Sequence, residues 1–126
     1  MGPNAKVVTP LMRLQDPEQT KMLLVTLPET TPVLGAARLQ EDLRRAGIEP
    51  WAWIVNASLA AARPSDPLLL RRAHAELSEI AKVRDDLAAR IAVVPLLIEE
   101  PIGAERLIEL FHRADESSEI PLRNAK

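Results

Sequence analysis

The chain contains three runs of apolar residues that are too short for helices and are separated by longer segments of mixed polarity. The runs are Met22–Leu27, Trp51–Asn56 and Ile91–Leu97. A continuous apolar run of this length is typical of a strand buried on both faces of a parallel sheet. We therefore predict three parallel strands, with Ile54, Val55, Val93 and Val94 forming the core of the sheet.

The segment after the first run has the signals of a helix start and a helix end. Thr31 is a suitable N-cap and Pro32 a suitable first helical residue. The pattern predicts a helix over Val33–Ala46, and Gly47 falls where a left-handed C-terminal cap is expected.

Two further helices follow from apolar spacing near 3.6 residues. The first is predicted over Pro67–Ala89, after a turn that contains two prolines, and the second over Ala104–Arg113. The apolar side chains expected to pack the last helix onto the sheet are Leu107, Leu110 and Phe111.

Strands that alternate with helices predict an α/β fold, a parallel sheet of sequential βαβ units. Right-handed crossovers would place both connecting helices on one face and leave the other face short of cover. We assign residues 1–21 to an N-terminal segment, 22–113 to the α/β part and 114–126 to a flexible tail. An exposed apolar face and an unpaired edge strand then predict self-association, most simply as a homodimer.

Composition excludes several classes of function. A formal charge of −2, two Trp, one Phe and no Tyr give neither a basic surface nor stacking platforms for nucleic acid. No apolar run is long enough to span a bilayer, and the first residues lack a secretory signal, so we expect a cytoplasmic protein without direct membrane insertion. The absence of cysteine excludes disulfides and thiolate metal sites.

Asn56 is the best candidate for a ligand contact. Ligands of open α/β sheets bind beyond the carboxyl ends of strands, and an amide there offers both a donor and an acceptor. The alternative is a local cap on the following loop. His74, with Glu76 and Glu79 nearby, and His112, with Glu109 and Glu116, are interpreted as solvated ion pairs rather than metal sites.

Four segments in a fixed order carry a more specific signal: TPLMRLQDPEQTK (9–21), TLPETTPVL (26–34), RAGIEPWAWIVN (45–56) and VPLLIEEPIG (94–103). Over about residues 8–111 the chain resembles the C-terminal part of the arsenical pump-driving ATPases. The resemblance implies a partial P-loop NTPase fold, which is Rossmann-like, with ATP and Mg²⁺ as cofactors of the parent enzyme. It also implies two partners, the remainder of the ATPase and a membrane anion pump.

The same resemblance assigns roles to particular residues. It implies that Asn56 contacts adenine, that Pro95, Leu96 and Leu97 form an apolar wall of the adenine pocket, and that Glu29 lies near the P-loop lysine. The alternatives are an ordinary strand exit for the prolyl segment and a helix-dipole role for Glu29, which we favour there. Many relatives have a second asparagine at the position of Ala57, and we expect glutamate in many of them where this chain has Gly35.

The sequence contains no G-x-x-x-x-G-K-S/T loop to hold phosphates. We therefore expect the chain alone to be inactive as an ATPase and to bind no cofactor tightly. The main hypothesis is a portion of an anion pump ATPase that supplies the adenine side of a nucleotide site. The alternatives are a free-standing α/β interaction module derived from such an enzyme and an unrelated small-molecule binding fold.

Overall fold

Three parallel strands form the single sheet of the computed structural model, which describes residues 7–117 and the side chains of 7–113. The strands are β1 (Leu23–Thr26), β2 (Ala52–Ser58) and β3 (Ile91–Pro95), in the order β1-β2-β3. The register pairs Val25 with Ile54 and Val55 with Val93. The predicted α/β class, parallel pairing and sequential order are confirmed.

Five helices accompany the sheet within the described residues. They are α1 (Pro10–Gln15), α2 (Thr30–Arg45), α3 (Leu59–Ala62), α4 (Pro67–Lys82) and α5 (Ala104–Ser117). A π-helical turn, Val83–Leu87, continues α4 toward β3. The short helices α1 and α3 were not predicted. Part of the tail predicted to be flexible, residues 114–117, is helical, and the rest lies outside the described residues.

The predicted start of α2 is wrong by two residues. The N-cap is Glu29, whose backbone is extended, so Thr31 lies within the helix and Pro32 is its third residue. Proline is tolerated throughout the first turn because the N–H groups there have no intrahelical partner. The predicted helix over Pro67–Ala89 also ends earlier, because the backbone becomes extended at Ala88 after the π-helical turn.

Gly47 ends α2 as predicted and also meets α1. Its φ of +77° is the left-handed conformation that glycine adopts without strain. A Cβ at this position would lie 3.0 Å from Nε2 of Gln15. That nitrogen donates a hydrogen bond to the carbonyl of Ala46 at 2.8 Å, so α1 is anchored at the C-terminal end of α2.

The core lies between the sheet and one layer formed by α2, α4 and the π-helical turn. Its buried members are Leu24, Val33, Trp53, Val55, Ile80 and Val83. Side chains alternate along a strand, so Ile54, which lies between Trp53 and Val55, is on the opposite face of the sheet. Of the predicted sheet core, Val55 is confirmed and Val93 packs against the cluster. Ile54 and Val94 are only partly buried and lie outside it.

A buried polar bridge, formed by Gln40 between Trp53 and Leu87, connects the elements around this core. The indole Nε1–H of Trp53 donates to Oε1 of Gln40 at 2.8 Å, and Nε2 of Gln40 donates to the carbonyl of Leu87 at 3.0 Å. Gln40 is 2% exposed. One amide thus satisfies groups from β2 and from the π-helical turn, and it ties α2 to both.

The other face of the sheet is short of cover, as predicted. On β1 the core face is buried, whereas Leu23 and Val25 on the other face are exposed, so the expected burial of this strand on both faces is wrong. The predicted packing of α5 onto the sheet is also wrong for Leu107 and Phe111, which remain exposed. The apolar surface of the sheet that α5 was predicted to cover therefore stays exposed.

Candidate functional site

Asn56 lies in a β-bulge at the carboxyl end of the central strand. Val55 is paired with Val93 and Ser58 with Pro95, so Asn56 and Ala57 together oppose the single residue Val94. The strand continues two residues beyond its predicted end at Asn56. Bulges bend a strand and redirect a side chain, and they are over-represented beside active sites. Asn56 itself is exposed.

The bulge requires an unusual backbone at its second residue. Ala57 has a φ of +56°, in the left-handed region that costs a residue with a Cβ about 1–2 kcal/mol. Asparagine is several-fold enriched at positive φ. A second asparagine here, as the resemblance describes, would suit this conformation better than alanine.

A buried carboxylate fixes the turn that follows. Oε2 of Glu76 accepts hydrogen bonds from Oγ of Ser58 at 2.9 Å and from the N–H of Ala60 at 3.1 Å, and Oε1 accepts from the N–H of Leu59 at 3.2 Å. Oγ of Ser58 in turn accepts from the N–H of Ala61 at 3.1 Å. The first three N–H groups of α3 are therefore all satisfied by side chains. The interpretation of Glu76 as solvated is wrong.

Asn56 lines an open groove along the outer edge of β1. The groove has a volume of about 580 Å³ and lies between residues 23–27 and one side of α2, where its lining residues are Pro32, Gly35, Ala36 and Leu39. Thr26 and Asn56 are the polar residues of this lining. The hydroxyl of Thr26 donates a hydrogen bond to the carbonyl of Leu27. A flat, uncharged group would find apolar walls here and one amide at the end of the groove.

Glu29 stands at the N-terminus of α2, also at the carboxyl end of the sheet. Its side chain makes no capping hydrogen bond, and its carbonyl accepts from the N–H of Val33 at 3.0 Å. An exposed carboxylate at this place interacts favourably with the helix dipole. Beside it, Thr30 donates to Oε1 of Glu79 at 3.1 Å, while Oε2 of Glu79 is buried without a partner.

The predicted apolar wall lies on the β3 side of Asn56. Pro95 is the last residue of β3 and is paired with Ser58, and the N–H of Leu96 donates to the carbonyl of Ser58 at 2.9 Å. Leu96 is exposed and Leu97 is partly buried. These residues are not part of the groove along β1, so Asn56 stands between two surfaces rather than within one closed pocket.

The ion pairs found among the described residues lie at the surface. A hydrogen bond from Arg84 lowers the pKa of the Asp85 carboxyl, and both side chains are exposed on the π-helical turn rather than beside Asn56. Among residues 7–117 no group of His, Asp and Glu is arranged to hold a metal ion. In the same range no helix is both long and apolar enough to cross a membrane.

Sequence reasoning missed the roles of Glu76 and Gln40, although Glu76 carries a signal. Glu76 falls on the face of α4 that also bears the buried residues Ala73 and Ile80. A carboxylate in that position is rarely buried unless it has partners, so its placement predicts donors on a neighbouring element. Those donors lie more than fifteen residues away in the sequence, and spacing alone could not identify them.

Comparison with known proteins gives the chain a family. Residues 5–114 match the family model described as anion-transporting ATPase. The arsenical pump-driving ATPase of Acidiphilium multivorum is 58% identical over 111 residues, which is 88% of this chain and 19% of that protein. A protein of the same description from Escherichia coli is 56% identical over 110 residues, 87% of this chain and 19% of the relative.

The similarity therefore extends over nearly all of this chain but covers only a small part of each relative. The chain spans about a fifth of the length of the curated relatives that it matches. The family match covers the β1–α2 unit, the bulge at Asn56 and the exit from β3. By this match and these identities, the chain belongs to the anion-transporting ATPase family.

Proposed function

We propose that this chain supplies the adenine-binding side of a nucleotide site in an ATPase that drives an anion pump. The matched relatives are described as arsenical pump-driving ATPases, which makes arsenite and related oxyanions the first cargo to test. The P-loop and the remaining strands of the site would come from the rest of the ATPase, and the pump would be its membrane partner. We place this activity in the cytoplasm, where ATP is abundant.

The observation that carries the proposal is the position of Asn56. A bulge at the carboxyl end of the central strand exposes this amide at the end of an apolar groove. Asparagine can form two hydrogen bonds with the N6 and N7 edge of adenine, since it has both a donor and an acceptor. The prolyl exit of β3, residues 95–97, supplies an apolar surface on the other side of Asn56.

The groove fits a base but not a triphosphate. Its lining contains no lysine, arginine or carboxylate, and phosphate sites of this class depend on loop amides, a lysine and Mg²⁺. ATP and Mg²⁺ are therefore expected to be held mainly by other parts of the parent enzyme. In this chain Asn56 would orient the base, and the apolar walls would exclude water from it. Glu29 would act at the start of α2, either on the helix dipole or on a P-loop lysine.

The direct test is a chimera. The matching segment of the Acidiphilium multivorum relative would be replaced by this chain, and ATPase kinetics would be compared for the chimera and its Asn56→Ala variant. Loss of a bidentate contact to the base should raise the KM for ATP about tenfold, since it removes roughly 1–3 kcal/mol, while kcat changes little. An unchanged KM in a folded variant would contradict adenine recognition.

A matched control separates the base contact from general disturbance of the loop. Asn56→Asp has nearly the same shape but loses the donor, so it should raise the KM for ATP while circular dichroism stays unchanged. The isolated chain should neither hydrolyse ATP nor bind it tightly. If calorimetry gave a micromolar affinity for ATP in the isolated chain, it would refute the proposal that other parts of the parent enzyme supply most of the contacts to ATP.

A second candidate function, a protein-interaction module, is favoured by the open edge and face of β1. Leu23 and Val25 are exposed on an edge strand whose backbone can pair with a further strand. In the parent enzyme a neighbouring strand would pair along this edge and leave the end of the groove at Asn56 open to the base. For the chain alone we propose a twofold homodimer, in which the two copies of β1 would pair antiparallel.

A further inference from the structure

Glu76 is a buried carboxylate that the proposed function does not use. It is 8% exposed and lies on α4, 20 residues after Asn56 in the sequence. Its hydrogen-bond partners are one hydroxyl and two backbone N–H groups. A carboxylate is costly to bury unless such donors satisfy it, so this arrangement is specific rather than incidental.

The donors all lie immediately after the bulge. Ser58, which is fully buried, and the N–H groups of Leu59 and Ala60 converge on the one carboxylate. Ser58 is also the residue at which pairing with β3 resumes. Glu76 thus holds the C-terminal end of the bulge, while the β-ladder through Val55 holds its N-terminal end.

Between these two fixed ends lie only Asn56 and Ala57. Ala57 is in the left-handed region at a φ of +56°, which a residue with a Cβ adopts when its surroundings over-determine the backbone. The hydrogen bonds to Glu76 provide that constraint. Without them the turn could relax toward ordinary extended backbone, and Asn56 would change direction with it.

We propose that Glu76 is the positioning residue for Asn56, acting through the hydrogen-bonded turn Ser58–Ala60. This proposal rests on the proposed role of Asn56 for its biological meaning, but its geometry can be tested separately. Glu76 would not touch the nucleotide. It would set the direction in which the Asn56 amide is presented at the end of the groove.

The test compares the isotope-labelled chain with its Glu76→Gln variant by nuclear magnetic resonance. Glutamine has the same shape but places an N–H₂ group against the donors of the turn. We expect upfield shifts of the Leu59 and Ala60 amides together with a change in the side-chain amide signals of Asn56. The indole N–H signal of Trp53, which reports the core, should stay in place.

Glu41→Gln is the matched control, because it makes the same chemical change at an exposed position on α2. It should leave the signals of Asn56 unchanged. If Glu76→Gln does not fold, Ser58→Ala removes one donor and should move the same signals less far. Unchanged Asn56 signals, in the presence of shifted Leu59 and Ala60 amides, would overturn the positioning role. Parallel movement of the Trp53 signal would also overturn it, since it would indicate a general structural effect.

Titration with adenosine separates this inference from the proposed function. Where the chain binds adenosine weakly, Glu76→Gln should reduce the affinity about tenfold, as expected for one misplaced hydrogen-bonding group. An affinity equal to that of the unaltered chain would overturn the positioning role. If adenosine shifts no signals in the unaltered chain, adenine recognition by this chain fails, and the Asn56 signals still decide the role of Glu76.

Discussion

The two faces of β1 differ sharply although their residues alternate along four positions. Leu24 and Thr26 are 4% and 5% exposed, whereas Leu23 and Val25 are 45% and 60% exposed. The covered face meets α2 and the core around Trp53, and the open face meets no comparable layer within the described residues. The apolar sequence of the strand fits burial on both faces, so we expect the open face to contact an element beyond the described residues.

The first prediction compares one residue from each region. Trp53→Ala should lower the free energy of unfolding by about 3–5 kcal/mol, because it empties a fully buried site. Val25→Ala should cost within about 0.5 kcal/mol in the monomer, as expected for an exposed position. Urea titration followed by circular dichroism measures both. Equal costs would show that the open face contributes to the fold as much as the covered face.

The second prediction concerns the polar bridge of the covered face. Gln40→Leu should cost about 1–3 kcal/mol, because the Trp53 indole and the Leu87 carbonyl would both lose their buried partner. Trp53→Phe in the same background is the control. With the indole donor already gone, the loss of Gln40 should cost less, and a strictly additive result in this double-mutant cycle would refute coupling through the bridge.

These particulars indicate what the sequence could predict. Short apolar runs identified the three strands. The alternation of strands and helices predicted the strand order, and the handedness of the crossovers predicted that both connecting helices lie on one face. The runs could not indicate which neighbour in a run faces the core, so Ile54 was predicted where Trp53 is found. The roles of Gln40 and Glu76 depend on partners distant in the sequence, and the bulge that presents Asn56 depends on pairing with β3.

The third prediction returns to the bulge, where the covered region meets the candidate site. Ala57→Asn should stabilise the chain by at most about 1 kcal/mol, because asparagine tolerates the left-handed backbone better than alanine. Ala57→Val should destabilise it, since a β-branched side chain clashes most at positive φ. Thermal unfolding of both variants measures the difference. If valine were tolerated as well as asparagine, the bulge would not impose the conformation described here.

The central claim of the comparison between the two faces is that the open face and edge of β1 form an assembly surface. Light scattering across a range of micromolar concentrations tests it most directly. We predict a dimer for the chain and a monomer for Val25→Lys, which places a charge on the exposed face and leaves the covered core unchanged. A chain that stays monomeric over this range, with the same mass as its Val25→Lys variant, would contradict the claim.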